Sequence, residues 1–252
     1  MWKSGRRIGY SSRPSEEPNI STVNIVNPDS LAATLDTLNE AFFLGTKLAK
    51  VNKEPAAKWI AGRQGLRFSY ASMPAPMDAE CNADLRVFTG EPITSAASLA
   101  HILGEEACRA LILLDVSDEH VARCLVRATQ GMMSKLLLPS GEPNPDTYGE
   151  YCCAMCTCAY WRHLAVGGLH DSKKRLMAGM QILKEHRKGD GQWRRFPFYY
   201  TLLALSEIKL PSALEEMRYA APVLQRYVKR SPKDDIYEQR RRILAQRILE
   251  KV

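Results

Sequence analysis

The chain has 252 residues, 45% of them hydrophobic and 25% charged, with a net charge of +7 at neutral pH. That length suffices for one large domain or two small ones, and the ordinary globular apolar content for a sizeable core. No run of about 18 apolar residues marks a membrane span, and the opening MWKSGRRIGYSSRPSEEPN lacks an apolar signal core, so the sequence reads as cytoplasmic.

Residues 1–27 are polar, with Pro14, Pro18 and several serines, and are expected to form a disordered lead to a single domain over 28–252. Asn27-Pro28-Asp29-Ser30 introduces a helix expected over 31–51, with Leu31, Leu35, Leu38, Ala41, Phe42 and Leu48 on its apolar face. A short helix is expected over 56–64. The stretch 65–89, with Gly65, Pro74 and Pro76, reads as a long loop, a length that inside a compact domain points to function or mobility. Helices follow over 94–114 and 118–138, then a breaker-rich linker over 139–146 and a very apolar helix over 152–166 stopped by Gly167-Gly168. Ser172 is the expected cap of an amphipathic helix whose basic end (Lys184, His186, Arg187, Lys188) complements the helix dipole. After the turn Asp190-Gly191-Gln192-Trp193, residues 198–208 are almost wholly apolar, the pattern of a helix buried on all sides. Two further helices are expected over 212–230 and 234–251. With no strand pattern, the predicted fold is all-α with about nine helices.

Gly191-Gln192-Trp193 and Gly149-Glu150-Tyr151 both stand between an amphipathic helix and an apolar one. The apolar helices align as YYTLLAL (199–205) and MCTCAYW (155–161), with CRALILL (108–114) one unit earlier and a fainter copy around Trp59 to Tyr70. A repeat of roughly 45 residues suits stacked helical hairpins. The pattern resembles the α/α-toroid family of terpene (squalene-type) cyclases and protein prenyltransferase β subunits, in which an Asp-Gly-any-Trp turn recurs between outer and inner helices. The resemblance implies a partial or open α/α toroid with a central concavity. It carries over no catalytic residue, because the cyclase Asp-any-Asp-Asp run and the prenyltransferase Asp-any-Cys run are both absent.

Four groups of residues invite chemistry. Seven cysteines, an odd number placed largely in helices, read as reduced thiols. Cys152, Cys153, Cys156 and Cys158 resemble a metal knuckle. On one helix, however, Cys152 and Cys156 share a face, Cys158 points away, and His163 lies about 10 Å beyond Cys156 at 1.5 Å per residue. A metal would need His101 or Cys108 from another helix, so no metal or cofactor is assigned, and the thiols are read first as small apolar fillers. His101, Glu105 and Cys108 share a face at i, i+4 and i+7. Glu105 pairs there either with His101, for acid–base work, or with Arg109 one turn on. The aromatics of the hairpins are led by Tyr151 and Trp193, expected to brace the turns against the next hairpin, and by Tyr199 and Tyr200. Basic residues cluster at Arg194-Arg195 and at Arg240-Arg241-Arg242 with Arg247, either a solvated outer face or a phosphate-binding or nucleic-acid face.

The expected function is a toroid protein that holds an apolar or isoprenoid-like small molecule among its inner helices, with His101, Glu105, Cys108, Cys156, Tyr199 and Tyr200 as cavity-lining candidates. The alternative is a non-enzymatic helical scaffold that binds protein or nucleic acid through a basic surface.

Overall fold

The computed structural model describes residues 24–142, 144 and 147–252, so the expected lead falls outside the described residues except for its last four. Of those four, Ile25 is buried against the core rather than loose. Among the described residues there are nine α-helices, a 3₁₀ turn over Asp78–Asn82 and no strand, only isolated two-residue bridges. The helices are α1 (Leu31–Leu44), α2 (Lys50–Ala61), α3 (Ala96–Leu114), α4 (Glu119–Leu136), α5 (Ala154–Ala165), α6 (Ser172–Glu185), α7 (Phe198–Glu207), α8 (Pro211–Val228) and α9 (Ile236–Lys251). The fold class is all-α.

Side-chain caps start several of these helices where the sequence places them. Ser30, Ser95, Asp118 and Asp235 each accept a backbone N–H from the first turn of α1, α3, α4 and α9, satisfying donors that have no partner inside the helix. The single helix expected over 31–51 divides instead. Gly45 adopts a left-handed conformation (φ 73°) and caps α1, and the chain restarts at Lys50 as α2. At α6 the cap position belongs to Asp171, and Ser172 Oγ donates back to the Leu169 carbonyl.

The packing order alternates. Each odd-numbered helix packs on the next (α1 on α3, α3 on α5, α5 on α7, α7 on α9), and the even-numbered helices lie against this row. The asymmetry read from the hairpin of α6 and α7 is present: Tyr200 to Leu205 are all buried, whereas α6 buries one stripe and leaves Met177 54% exposed. The two ends of the row are bonded to each other. Arg240 on α9 donates to both Asp36 oxygens at 2.9 and 2.7 Å and to Glu40 at 2.6 Å on α1, and Arg247 donates to the Phe43 carbonyl.

The two turns of the repeat are braced differently. Gly191 has φ 89°, and a Cβ there would stand 2.7 Å from Val223 of α8. Trp193 Nε1 donates to Glu216 of α8 at 2.8 Å, and Arg187 grips the same carboxylate with two hydrogen bonds. This turn does brace the next hairpin. Tyr151 does not: its ring sits beside Tyr70 and His101, on the side of the preceding hairpin. Gly149 instead fits against the backbone of Gly179, and its carbonyl accepts Trp161 Nε1 at 2.8 Å.

The stretch 65–89 is a clamp. Met73, Ala75, Val87 and Phe88 are buried, and Glu80, 4% exposed, accepts from Ser30 Oγ and the Ala32 N–H at the start of α1. Just beyond it, Glu91 accepts the Tyr199 and Tyr200 N–H groups and caps α7.

Candidate functional site

The C-terminal ends of α1, α3, α5, α7 and α9, with the start of α8, surround an open cleft of about 880 Å³. Its walls are largely apolar, with Phe42, Leu113, Val166, Leu214 and Met217 among them, and Arg109 and Glu207 meet in its lining. Lys209 and Lys251 stand at its edge.

The floor is an ion-pair network drawn from four helices. Two guanidiniums clamp the Glu207 carboxylate: Arg109 through Nε and Nη2 at 3.2 and 2.7 Å, and Arg162 through Nε and Nη2 at 3.1 and 3.0 Å. Arg162 also donates to Glu106, which accepts the Tyr200 hydroxyl at 2.6 Å. Asn39 Oδ1 accepts from Arg109 at 2.9 Å and Arg162 at 3.2 Å. Two arginines and two glutamates leave the network neutral, as a low-dielectric site requires. Burial alone would raise the Glu207 carboxyl, but the charges of Arg162 and Arg109 outweigh it and hold it below its ordinary value. Tyr200 is pushed well up by burial and then by Glu106, so it stays a phenol that donates.

The six residues expected to line a central cavity fall in different places. Tyr200 belongs to the network and borders a second cavity of about 30 Å³ with Asn39 and Glu106, room for about one water. Tyr199 is half-buried under the Arg241 guanidinium and beside Tyr227. Cys108 is fully buried inside the core. Glu105 is fully buried and pairs with neither His101 nor Arg109. Its Oε2 lies 2.5 Å from His163 Nδ1, and Arg109 turns to Glu207. His101 and Cys156 come together near the start of α3, where one ring nitrogen of His101 and the Sγ atoms of Cys152 and Cys156 all lie within 4.8 Å of one another.

Cys152 reaches that position by an unexpected route. It precedes α5 rather than lying within it, in a left-handed conformation (φ 59°). Cys153 caps the helix through its sulfur, and its Sγ stands 3.2 Å from that of Cys156. Cys158 points away to Thr201, as expected, with its thiol pushed up to about 12 by burial. Burial also lowers the His101 imidazole.

Asn39, Glu106, Arg109, Arg162 and Glu207 were not singled out as a site by the sequence. The available signal was charge within apolar helices, since a buried charge must find a partner. The arginines of α9 are also placed otherwise than expected. Arg240 bonds α1, Arg241 donates to the Thr89 carbonyl, and Arg242 donates to Glu238 and to the Val228 and Arg230 carbonyls. They tie the chain together rather than forming a free cationic face.

Compared with known protein families, with curated proteins and with solved structures, the chain finds no match in any of the three. Among the described residues no helix is long and apolar enough to cross a membrane.

Proposed function

We propose that this chain is a helical-repeat binding protein of the α/α-toroid kind, taking an apolar, isoprenoid-like small molecule with one polar end. The site is the cleft at the C-terminal ends of the odd-numbered helices. One observation carries this reading: a cleft of about 880 Å³ joins apolar walls to a single preorganised polar floor at Arg109 and Glu207. Ligand sites typically occupy about 300–1,000 Å³ and combine apolar lining with a few placed polar groups. The binding position shifts from the centre of the helices to their ends, because Trp161, Arg162 and Tyr200 fill the interior.

The toroid part of the reading rests on the alternating packing and on the Asp190-Gly191-Gln192-Trp193 turn. A cytoplasmic setting is part of the same proposal, supported by the deeply buried thiols of Cys108 and Cys158. The test is a titration of the folded protein with 1-anilinonaphthalene-8-sulfonate, an apolar dye with one anionic end, alongside Leu214→Trp, which fills the cleft. Saturable binding is expected in the parent, weakened about tenfold in the variant, some 1.4 kcal/mol of binding free energy. Non-saturable binding, or equal affinity in the two proteins, overturns the reading.

A further inference from the structure

We propose that His101, Cys152 and Cys156 form a binding site for one thiophilic divalent cation, zinc by its donor set. It lies apart from the cleft, between the first turns of α3 and the start of α5.

Four observations lead there. The donors come from two separate elements yet converge: a ring nitrogen of His101 and the Sγ atoms of Cys152 and Cys156 lie within 4.8 Å of one another. A tetrahedral zinc site with bonds of about 2.3 Å to sulfur and about 2.0–2.1 Å to nitrogen has ligand-to-ligand edges of roughly 3.6–3.8 Å, so side-chain rotation closes the difference. His101 Nδ1 is buried and makes no hydrogen bond to any protein group, an unusual state for a ring nitrogen. The ring is nonetheless held in place, by Tyr70 at 3.9 Å and Tyr151 at 5.4 Å between centroids. Last, Cys152 takes a left-handed backbone without being glycine (φ 59°), which sets it just ahead of α5 and on the same side as His101 and Cys156.

The chemistry selects the metal. Imidazole with two thiolates suits zinc and disfavours calcium or magnesium, which take oxygen ligands. Two thiolates and a neutral imidazole balance a dication. Cys153, whose Sγ is 3.2 Å from that of Cys156, is a further thiol beside the site. Cys152 is exposed, which gives the ion an entry path from solvent, and the buried Cys156 gives the site a dry inner wall. A bound ion would tie the start of α5 to α3, the most extensively packed pair of helices in the fold.

The test uses the full chain kept reduced with a phosphine and titrated with cobalt(II) as a spectroscopic stand-in for zinc. A thiolate-to-cobalt charge-transfer band saturating at one ion per chain is expected, displaced by one equivalent of zinc. Cys152→Ser and His101→Ala should each weaken binding by about tenfold or more, whereas Cys81→Ser should bind as the parent does. Cys156 is fully buried and its variants could unfold, so the exposed Cys152 carries the test, with helicity by circular dichroism checked in each protein. Absence of the band, or a Cys152→Ser protein that binds with parental affinity, overturns the assignment.

Discussion

Glu207 shows at the residue scale how the cleft floor is balanced. Its side chain is 23% exposed, and it would rather be neutral on burial alone, yet two guanidiniums grip it on both oxygens. The net effect is a carboxyl held below its ordinary value of 4.5. A carboxyl depressed in the folded state stabilises the protein above its unfolded value, and that contribution is lost as pH falls through the folded value. Urea unfolding followed from pH 7 downward should therefore show stability falling once the pH drops below 4.5. Glu207→Gln should be less stable at pH 7, where Arg109 and Arg162 would share only Glu106, and its acid decline should be shallower. Parallel declines in the two proteins would remove Glu207 from the acid response.

At the scale of the element, the turn between α6 and α7 separates two costs that usually come together. Gly189 and Gly191 have nearly the same φ, 91° and 89°, but a Cβ at Gly189 meets open space while one at Gly191 meets Val223 at 2.7 Å. Gly189→Ala should cost only the backbone term, roughly 1 kcal/mol, and Gly191→Ala roughly 2–3 kcal/mol, because the turn must also move off α8. Thermal melts of both variants check this, and equal shifts would mean that the turn is not seated on α8. This hairpin was the most legible part of the sequence. An apolar run from Phe198 to Leu205, interrupted only by Thr201, has no solvent-exposed solution, and glycines bound the turn before it. Legibility failed where one residue decides. Leu48 continued the apolar spacing of α1, but Gly45 had already ended the helix. Cys152 looked helical because no side-chain signal distinguishes a left-handed cysteine from the next residue in line.

For the whole molecule, the cleft was beyond reach of any local pattern. Its lining comes from the ends of α1, α3, α5, α7 and α9, and the network beneath it joins Asn39 to Arg162 across 123 positions. Repeats predict neighbours in a row but not which ends enclose space. The arginines of α9 make the same point: in sequence they form a cationic run, and only the fold shows that Arg240 faces inward. Arg240 is 5% exposed and spans 204 positions to Asp36, joining the last helix to the first. Arg240→Met keeps the aliphatic stem over Phe88, whose ring lies 4.1 Å from the guanidinium carbon, and removes only the charge and its hydrogen bonds. Breaking a fully buried pair costs about 3–5 kcal/mol, because the abandoned charge stays dry. Here Asp36 and Glu40 are 45% and 31% exposed at their side chains and regain water, so the cost should be smaller, roughly 2 kcal/mol. The loss should also be local. Amide exchange should accelerate over 31–44 and 236–251 and stay unchanged in α6, which has no part in this contact. Uniform acceleration along the chain would mean that the two ends are not held by this arginine but fold and unfold with everything else.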